Sequence, residues 1–283
     1  MTKGPAIPLE RLLSFLWEDA PAGDITSDSL LSGQRCTARI VAKEEGVIAG
    51  LDEAAALFRA FGVTVSPFVS DGDRVEAGTT LATLGGPASA VLLVERTALN
   101  IMGRMSGIAT MTRRLQKVLD NNVRTGCRVA STRKTAPGLG LLDKKAVILG
   151  GGDPHRMTLS DGVLVKDNHL ALVSVEDAVR KAKAYSMYRN VEVEVQSPDE
   201  ALRAARAGAD ILLFDNMPPG EVREALSRLQ EAGLREGLLV EVSGGVAEEN
   251  LADYAIPGVD RVSLGCLTHS VRNFDVSLDV LRE

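Results

Sequence analysis

No run of apolar residues in this chain is long enough to cross a bilayer, and Met1 to Glu18 carries scattered charges where a signal peptide would be unbroken and apolar. The expectation is a cytoplasmic protein with no membrane partner. Cysteine is scarce: Cys36, Cys127 and Cys266 are odd in number and far apart. That spacing excludes a disulfide framework or a paired zinc site and leaves them as buried small residues. Positive charge is not in excess either. A net charge of -6 speaks against a nucleic-acid partner, which demands a basic face. Low-complexity segments and exact repeats are absent.

What is present is an ordinary globular composition, 45% hydrophobic and 25% charged over 283 residues, enough for one large or two unequal domains. The charge is uneven. Between Arg124 and Arg156 stand Arg124, Arg128, Arg133, Lys134, Lys144, Lys145 and Arg156 against only Asp143 and Asp153, which points to an anion pocket in an acidic protein. Pro8 followed by Leu9, Leu12, Leu13 and Leu16 predicts a first helix. From Thr37 to about Gly86 short strands dominate, interrupted by a helix over Leu51 to Ala60. Within this α+β unit, Asp71 to Gly78 looks like the hairpin of lipoyl carriers. Those present a modified lysine at the turn, and no lysine lies between Lys43 and Lys117, which disfavours a carrier. Ala88 to Leu119 reads as two helices punctuated near Gly107, a bridge between domains.

Beyond the bridge, apolar β-type segments (127–130, 162–165, 191–195, 211–214, 239–242 and 261–264) alternate with amphipathic helical stretches, the pattern of a parallel sheet covered on both faces. A barrel or a doubly wound sheet has that pattern, and six or seven units favour an α/β barrel, complete or incomplete. Each segment ends in a polar or glycine residue: Thr132-Arg133-Lys134, Lys166, Glu194, Asp215, Ser243-Gly244-Gly245 and Gly265. In a parallel barrel those ends share one mouth, where active sites are built. Ser243-Gly244-Gly245 before a helix over Ala247 to Tyr254 reads as a phosphate site at a helix N-terminus, with Gly265 completing it. Taken alone, Glu194 and Asp215 leave two readings open: ligands for magnesium beside a phosphorylated substrate, or salt-bridge partners.

Three stretches carry a family signature: Thr132-Arg-Lys-Thr with Pro137-Gly138, then Gly150-Gly-Gly-Asp-Pro-His155-Arg156, then Lys166-Asp-Asn-His169. With Gly23-Asp24-Ile-Thr26, Glu95-Arg96-Thr97, Val191 to Val195, Phe214-Asp215-Asn216 and Leu267-Thr-His269-Ser, the resemblance is to the quinolinate phosphoribosyltransferases and covers nearly the whole chain. It implies an N-terminal α/β sandwich (1–107, joined by 268–283) and an incomplete, seven-stranded type of α/β barrel (108–267). It further implies that Arg133, His155, Arg156 and Lys166 hold the two carboxylates of quinolinate, with Arg96 supplied by a neighbouring subunit of a homodimer or hexamer of dimers. Lys134 and Lys166 would lie near the reacting groups and Glu194 and Asp215 at Mg²⁺. Ser243, Gly244, Gly245, Gly265 and His269 would lie at the phosphates of phosphoribosyl pyrophosphate.

The residue types suit that chemistry, since an arginine fork binds carboxylate in a bidentate way and several cations match a dianion. His169 is read as an anchor of the Lys166 loop and is left outside the site. Gly140, Ser131 and Asp153-Pro154 depart from the family pattern. The rivals are a molybdenum-transport-associated relative, which tends to lack the Lys-Asp-Asn-His element, and a nicotinate phosphoribosyltransferase, which needs fewer cations.

Overall fold

The computed structural model describes residues 4, 6–122 and 126–281. Arg124, counted above in the basic stretch, lies outside them. The elements run α1 (Leu9–Asp19), α2 (Ile25–Leu30), β1 (Arg35–Ala42), β2 (Gly46–Val47), α3 (Leu51–Ala60), β3 (Thr64–Pro67), β4 (Arg74–Val75), β5 (Thr80–Pro87) and α4 (Ala88–Asn122). They continue β6 (Arg128–Ala130), α5 (Gly140–Gly150), β7 (Val163–Val165), α6 (Asp167–Leu170), α7 (Val175–Tyr185), β8 (Val191–Val195), α8 (Pro198–Arg206), β9 (Ile211–Asp215), α9 (Pro219–Glu231), β10 (Leu239–Ser243), a 3₁₀ turn (Leu251–Tyr254), β11 (Arg261–Ser263), α10 (Cys266–His269) and β12 (Val276–Val280).

The chain divides into two compact units, one of Met1–Arg113, Thr135–Gly151 and Leu267–Glu283, the other of Arg114–Lys134 and Gly152–Cys266. In the first, β12, β1, β5 and β3 form an antiparallel sheet in that order. The C-terminal strand pairs with β1, Ile40 opposite Leu278. Leu12 and Leu16 of α1 and Leu57 and Phe58 of α3 bury the apolar faces predicted for those helices. Asp24 caps α2, its Oδ1 accepting from Thr26 N at 3.0 Å and Ser27 N at 3.2 Å, which gives Gly23-Asp24-Ile-Thr26 a structural role.

Three expectations need correcting here. Ala88 to Leu119 is not two helices, because α4 runs unbroken from Ala88 to Asn122. Its glycines serve close approach instead: a Cβ at Gly103 would lie 3.0 Å from Phe274 O, and one at Gly107 would fall on Arg272 O. Nor is the basic stretch one surface. Lys144 and Lys145 are buried in the first unit, where Lys145 Nζ meets Glu53 Oε1 at 2.6 Å. Neighbouring Asp143 takes Arg104 in a bidentate pair at 2.7 and 2.8 Å. Of the cysteines only Cys127 is fully buried.

In the second unit six strands form a parallel sheet in the order β6-β11-β10-β9-β8-β7. These are the six segments expected, each within a residue or two of its predicted bounds. Where the resemblance implies a seventh strand, a single parallel bridge between Ala130 and Asp153 stands on the free edge of β6. Strands β8 and β9 are buried almost throughout and helices α8 and α9 bury one face each, as a sheet covered by helices requires. Ser174 and Ser197 cap α7 and α8.

Candidate active site

A cavity of about 500 Å³ opens at the C-terminal ends of these strands, and every residue lining it belongs to the second unit. Because the strands are parallel, residues separated by more than a hundred positions meet there. Following the sheet from β6 to β7, the lining residues are Arg133 and Lys134 after β6, Ser243 to Gly245 at β10, Asp215 at β9, Glu194 in β8 and Lys166 after β7. His155 and Arg156 enter from the loop beyond the Asp153 bridge.

The cavity therefore collects Lys134, Lys166, Glu194, Asp215, Arg133, His155, Arg156, Ser243, Gly244 and Gly245 from the expected set. Gly265 and His269 are not among its lining residues, and His269 Nδ1 lies 2.7 Å from Ser270 Oγ. Arg96 is not among them either; it sits on α4 with its side chain 63% exposed and Glu95 at 3.8 Å.

Within the cavity charge is unevenly matched. Lys166 Nζ binds Glu194 Oε2 at 2.9 Å. Burial, then the like charge of Arg133, disfavours the protonated form of Arg156. Two guanidinium groups that repel each other make a site that gains by receiving an anion. Asp215 Oδ2 accepts from Asn216 Nδ2 at 2.8 Å, and Asn216 N donates to Ser243 O at 2.9 Å. Asn216 has φ 55°, so a strained residue ties the carboxylate of β9 to the glycine loop of β10.

That loop is built differently from expectation. No α-helix begins between Gly245 and β11. The 3₁₀ turn starts only at Leu251, and Ala247 N is taken by Asn250 Oδ1 at 2.8 Å. The helix-dipole part of the phosphate reading is therefore withdrawn, since four residues of 3₁₀ turn do not align a macrodipole. What remains is the backbone of Gly244 and Gly245, with φ 83° and 63°, conformations open to glycine. A Cβ at Gly244 would fall on Asn216 Oδ1 and lie 2.9 Å from Asn216 N.

His155 is the other strained residue, with φ 55°. Its Nε2 lies 3.5 Å from Glu192 Oε2 and 3.4 Å from Glu241 Oε2. Burial works against its charge, but the two carboxylates outweigh it and push the pKa up to about 9. Arg156 N–H donates to Nδ1 at 2.7 Å and opposes protonation there. Although burial favours the neutral acid, His155 and Arg261 hold Glu241 below the usual carboxylate range. Glu192, Glu241, Arg261 and Ser263 were not foreseen as site residues. The signal was in Val191-Glu-Val-Glu and Leu239-Val-Glu-Val-Ser, where period-two alternation places Glu192 with Glu194, and Glu241 with Ser243, on one strand face. His169 Nδ1 accepts from Lys166 N at 2.9 Å, the anchoring contact that kept it outside the site.

The family models for the quinolinate phosphoribosyl transferase N-terminal and C-terminal domains match residues 24–106 and 108–279. This chain belongs to the quinolinate phosphoribosyltransferase family. A family relative from Methanothermobacter thermautotrophicus, named a probable nicotinate-nucleotide pyrophosphorylase (carboxylating), is 47% identical over 91% of this chain and 93% of its own. The human nicotinate-nucleotide pyrophosphorylase (carboxylating) is 38% identical over 97% and 92%. The solved structure of the Francisella tularensis nicotinate-nucleotide pyrophosphorylase superposes with a TM-score of 0.90 at 32% identity, covering 98% of each chain. Membership accounts for the N-terminal sheet and the parallel α/β unit alike. No helix among the described residues is long and apolar enough to cross a membrane.

Proposed function

We propose that this enzyme transfers the phosphoribosyl group of phosphoribosyl pyrophosphate to quinolinate with loss of CO₂, making nicotinate mononucleotide and pyrophosphate for NAD biosynthesis. The observation that carries the reading is the convergence of Arg133, Lys134, Arg156 and Lys166 with two carboxylates and a positive-φ glycine pair in one cavity of a member of this family. The guanidinium groups of Arg133 and Arg156, with His155 and Lys166, grip the two carboxylates of quinolinate and orient its ring nitrogen toward the anomeric carbon. The ribosyl carbon passes through an oxocarbenium-like state as the bond to pyrophosphate breaks and the bond to nitrogen forms. No covalent enzyme intermediate is needed, and Lys134 lies on the reacting side as a counter-charge.

Glu194 and Asp215 fit Mg²⁺: they are hard oxygen donors at the ends of adjacent strands, few enough that phosphate oxygens would complete the shell. Bound there, the metal would neutralise charge on the pyrophosphate. Ser243, Gly244 and Gly245 offer backbone and hydroxyl groups to the phosphates, and Gly265 and His269 extend that role. After ribosylation the C2–carboxylate bond breaks, its electron pair remains on C2 beside the cationic ring nitrogen, and a solvent proton replaces CO₂. Arg96, exposed on α4, reaches the pocket of a neighbouring subunit, which makes the working unit a homodimer or a hexamer of dimers, placed in the cytoplasm.

Purified protein with phosphoribosyl pyrophosphate, Mg²⁺ and either quinolinate or nicotinate, followed for nicotinate mononucleotide and CO₂, tests the reading. Turnover with quinolinate alone is expected. Turnover with nicotinate would mean that the cations were over-counted, and turnover with neither refutes the proposal.

A further inference from the structure

His155 and Arg156 line two cavities, the one described and a second of about 250 Å³ bordered by Asn190, Glu192, Ile211 and Arg261 at the opposite ends of the strands. Between them lies a buried ionic cluster. Arg261 Nε contacts Glu241 Oε2 at 2.6 Å, its NH2 group lies 3.8 Å from Glu192 Oε1, and Ser263 Oγ donates to Glu241 Oε1. Glu192 and Glu241 are 5% and 1% exposed.

Folding gives no reason for this cluster. Burying ions between strands that are otherwise Val, Leu and Ile costs desolvation, and apolar residues of similar size are often as stable or more so. Among the described residues His155, Glu192 and Glu241 are the one group with the spacing of three metal ligands. Arg261 already supplies the positive charge that a metal would bring there.

What the cluster does hold is a strained residue. His155 sits at φ 55°, with its own N–H on Asp153 Oδ1 at 2.6 Å and its ring between the two glutamates. His155 Nδ1 in turn takes Arg156 N–H, while the Arg156 guanidinium reaches Gly162 O at 3.3 Å. The aim of both side chains thus depends on a ring clamped from below. We propose that Glu241, with Glu192 and Arg261, is a positioning residue for quinolinate: the buried ionic floor fixes His155 and, through it, Arg156 against the substrate carboxylates. This rests on the function proposed above. At the phosphoribosyl pyrophosphate end of the cavity, Asp215 Oδ2 accepts from Asn216 Nδ2 and Gly244 lies against Asn216, which is not a member of the cluster, so the effect is specific to one substrate.

The test is steady-state kinetics of the full-length Glu241→Gln variant with each substrate varied in turn, alongside ¹⁵N spectra of the three histidine rings, with His155 assigned by its loss in His155→Gln. The expected result is a KM for quinolinate raised tenfold or more, a KM for phosphoribosyl pyrophosphate within twofold, and a shifted His155 ring signal with those of His169 and His269 unmoved. Should Glu241→Gln fail to fold, Ser263→Ala, which removes one hydroxyl bond to Glu241, carries the same comparison with a smaller change expected in the same direction. An unchanged KM for quinolinate, or equal rises for both substrates, overturns the proposal while leaving the function intact. Absence of quinolinate turnover by the unaltered enzyme overturns the function and the proposal together.

Discussion

Replacing Asp71 with asparagine should stabilise this protein at neutral pH and do nothing at pH 4. Asp71 is 1% exposed in its side chain, accepts Leu51 N at 2.9 Å on Oδ1 and lies 4.0 Å from Lys145 Nζ. Burial pushes its pKa from 3.8 up to about 6; the Leu51 N–H opposes the rise, Glu53 and Asp52 add to it, and Lys145 opposes it. The folded state therefore binds this proton more tightly than the unfolded chain does. Between about pH 3.8 and 6 only the folded form carries it, so stability falls as pH rises through that window and the full penalty stands above it. The gap from 3.8 to about 6, at ~1.4 kcal/mol per pH unit, sets that penalty at about 3 kcal/mol. Asparagine mimics the protonated acid and keeps an acceptor for Leu51 N. Urea unfolding of Asp71→Asn, followed by the single tryptophan, Trp17 of α1 in the same unit, should show a gain of up to ~3 kcal/mol at pH 7.5 that vanishes by about pH 4. Equal stability at pH 7.5, or a loss at both pH values, would refute the reasoning.

Arg133→Ala and Glu194→Ala should each reduce turnover by at least ~10²-fold, since both line the cavity, and Arg133→Ala, at an exposed position, should leave the thermal melt within a few degrees; full activity in either removes that residue's role. Gly244→Ala should raise the KM for phosphoribosyl pyrophosphate about tenfold or more, because the new Cβ falls on Asn216 and the φ of 83° resists a side chain. Arg104→Met leaves Asp143, fully buried, without its bidentate partner. A loss of about 3–5 kcal/mol in denaturant unfolding is expected, and a loss under ~1 kcal/mol would show that Asp143 is protonated or rehydrated.

The sheets were legible because their signal is local. Val191 to Val195 and Ile211 to Phe214 are short apolar runs that no solvated segment would carry, and Ser174 and Ser197 mark helix starts in the chain itself. The polar ends of those runs named most of the cavity, since parallel strands bring their C-terminal ends to one side. The misreadings have two causes, one a contact made at long range and the other a local side-chain bond. Gly107 looked like a break because a helical glycine is costly in isolation, and only the backbone of Arg272 against it shows why α4 keeps it. Ala247 to Tyr254 has helical composition, yet Asn250 takes Ala247 N and the segment turns instead.

What the amino-acid sequence determined by itself was therefore the order of strands and helices, the family, and the cations and carboxylates that chemistry at an anionic pair of substrates requires. Which basic residues serve the pocket was decided by tertiary structure. Lys144 and Lys145 share the stretch with Arg133 and Arg156, but pairing with partners such as Glu53 takes them into a core, while strand ends carry the others to the cavity. The clamp on His155 was decided there too, because Glu192, Glu241 and Arg261 are far apart along the chain and become neighbours only when parallel strands align. A buried charge cannot be read from its own neighbours in sequence, since whether it is satisfied depends on partners that only the closed fold supplies.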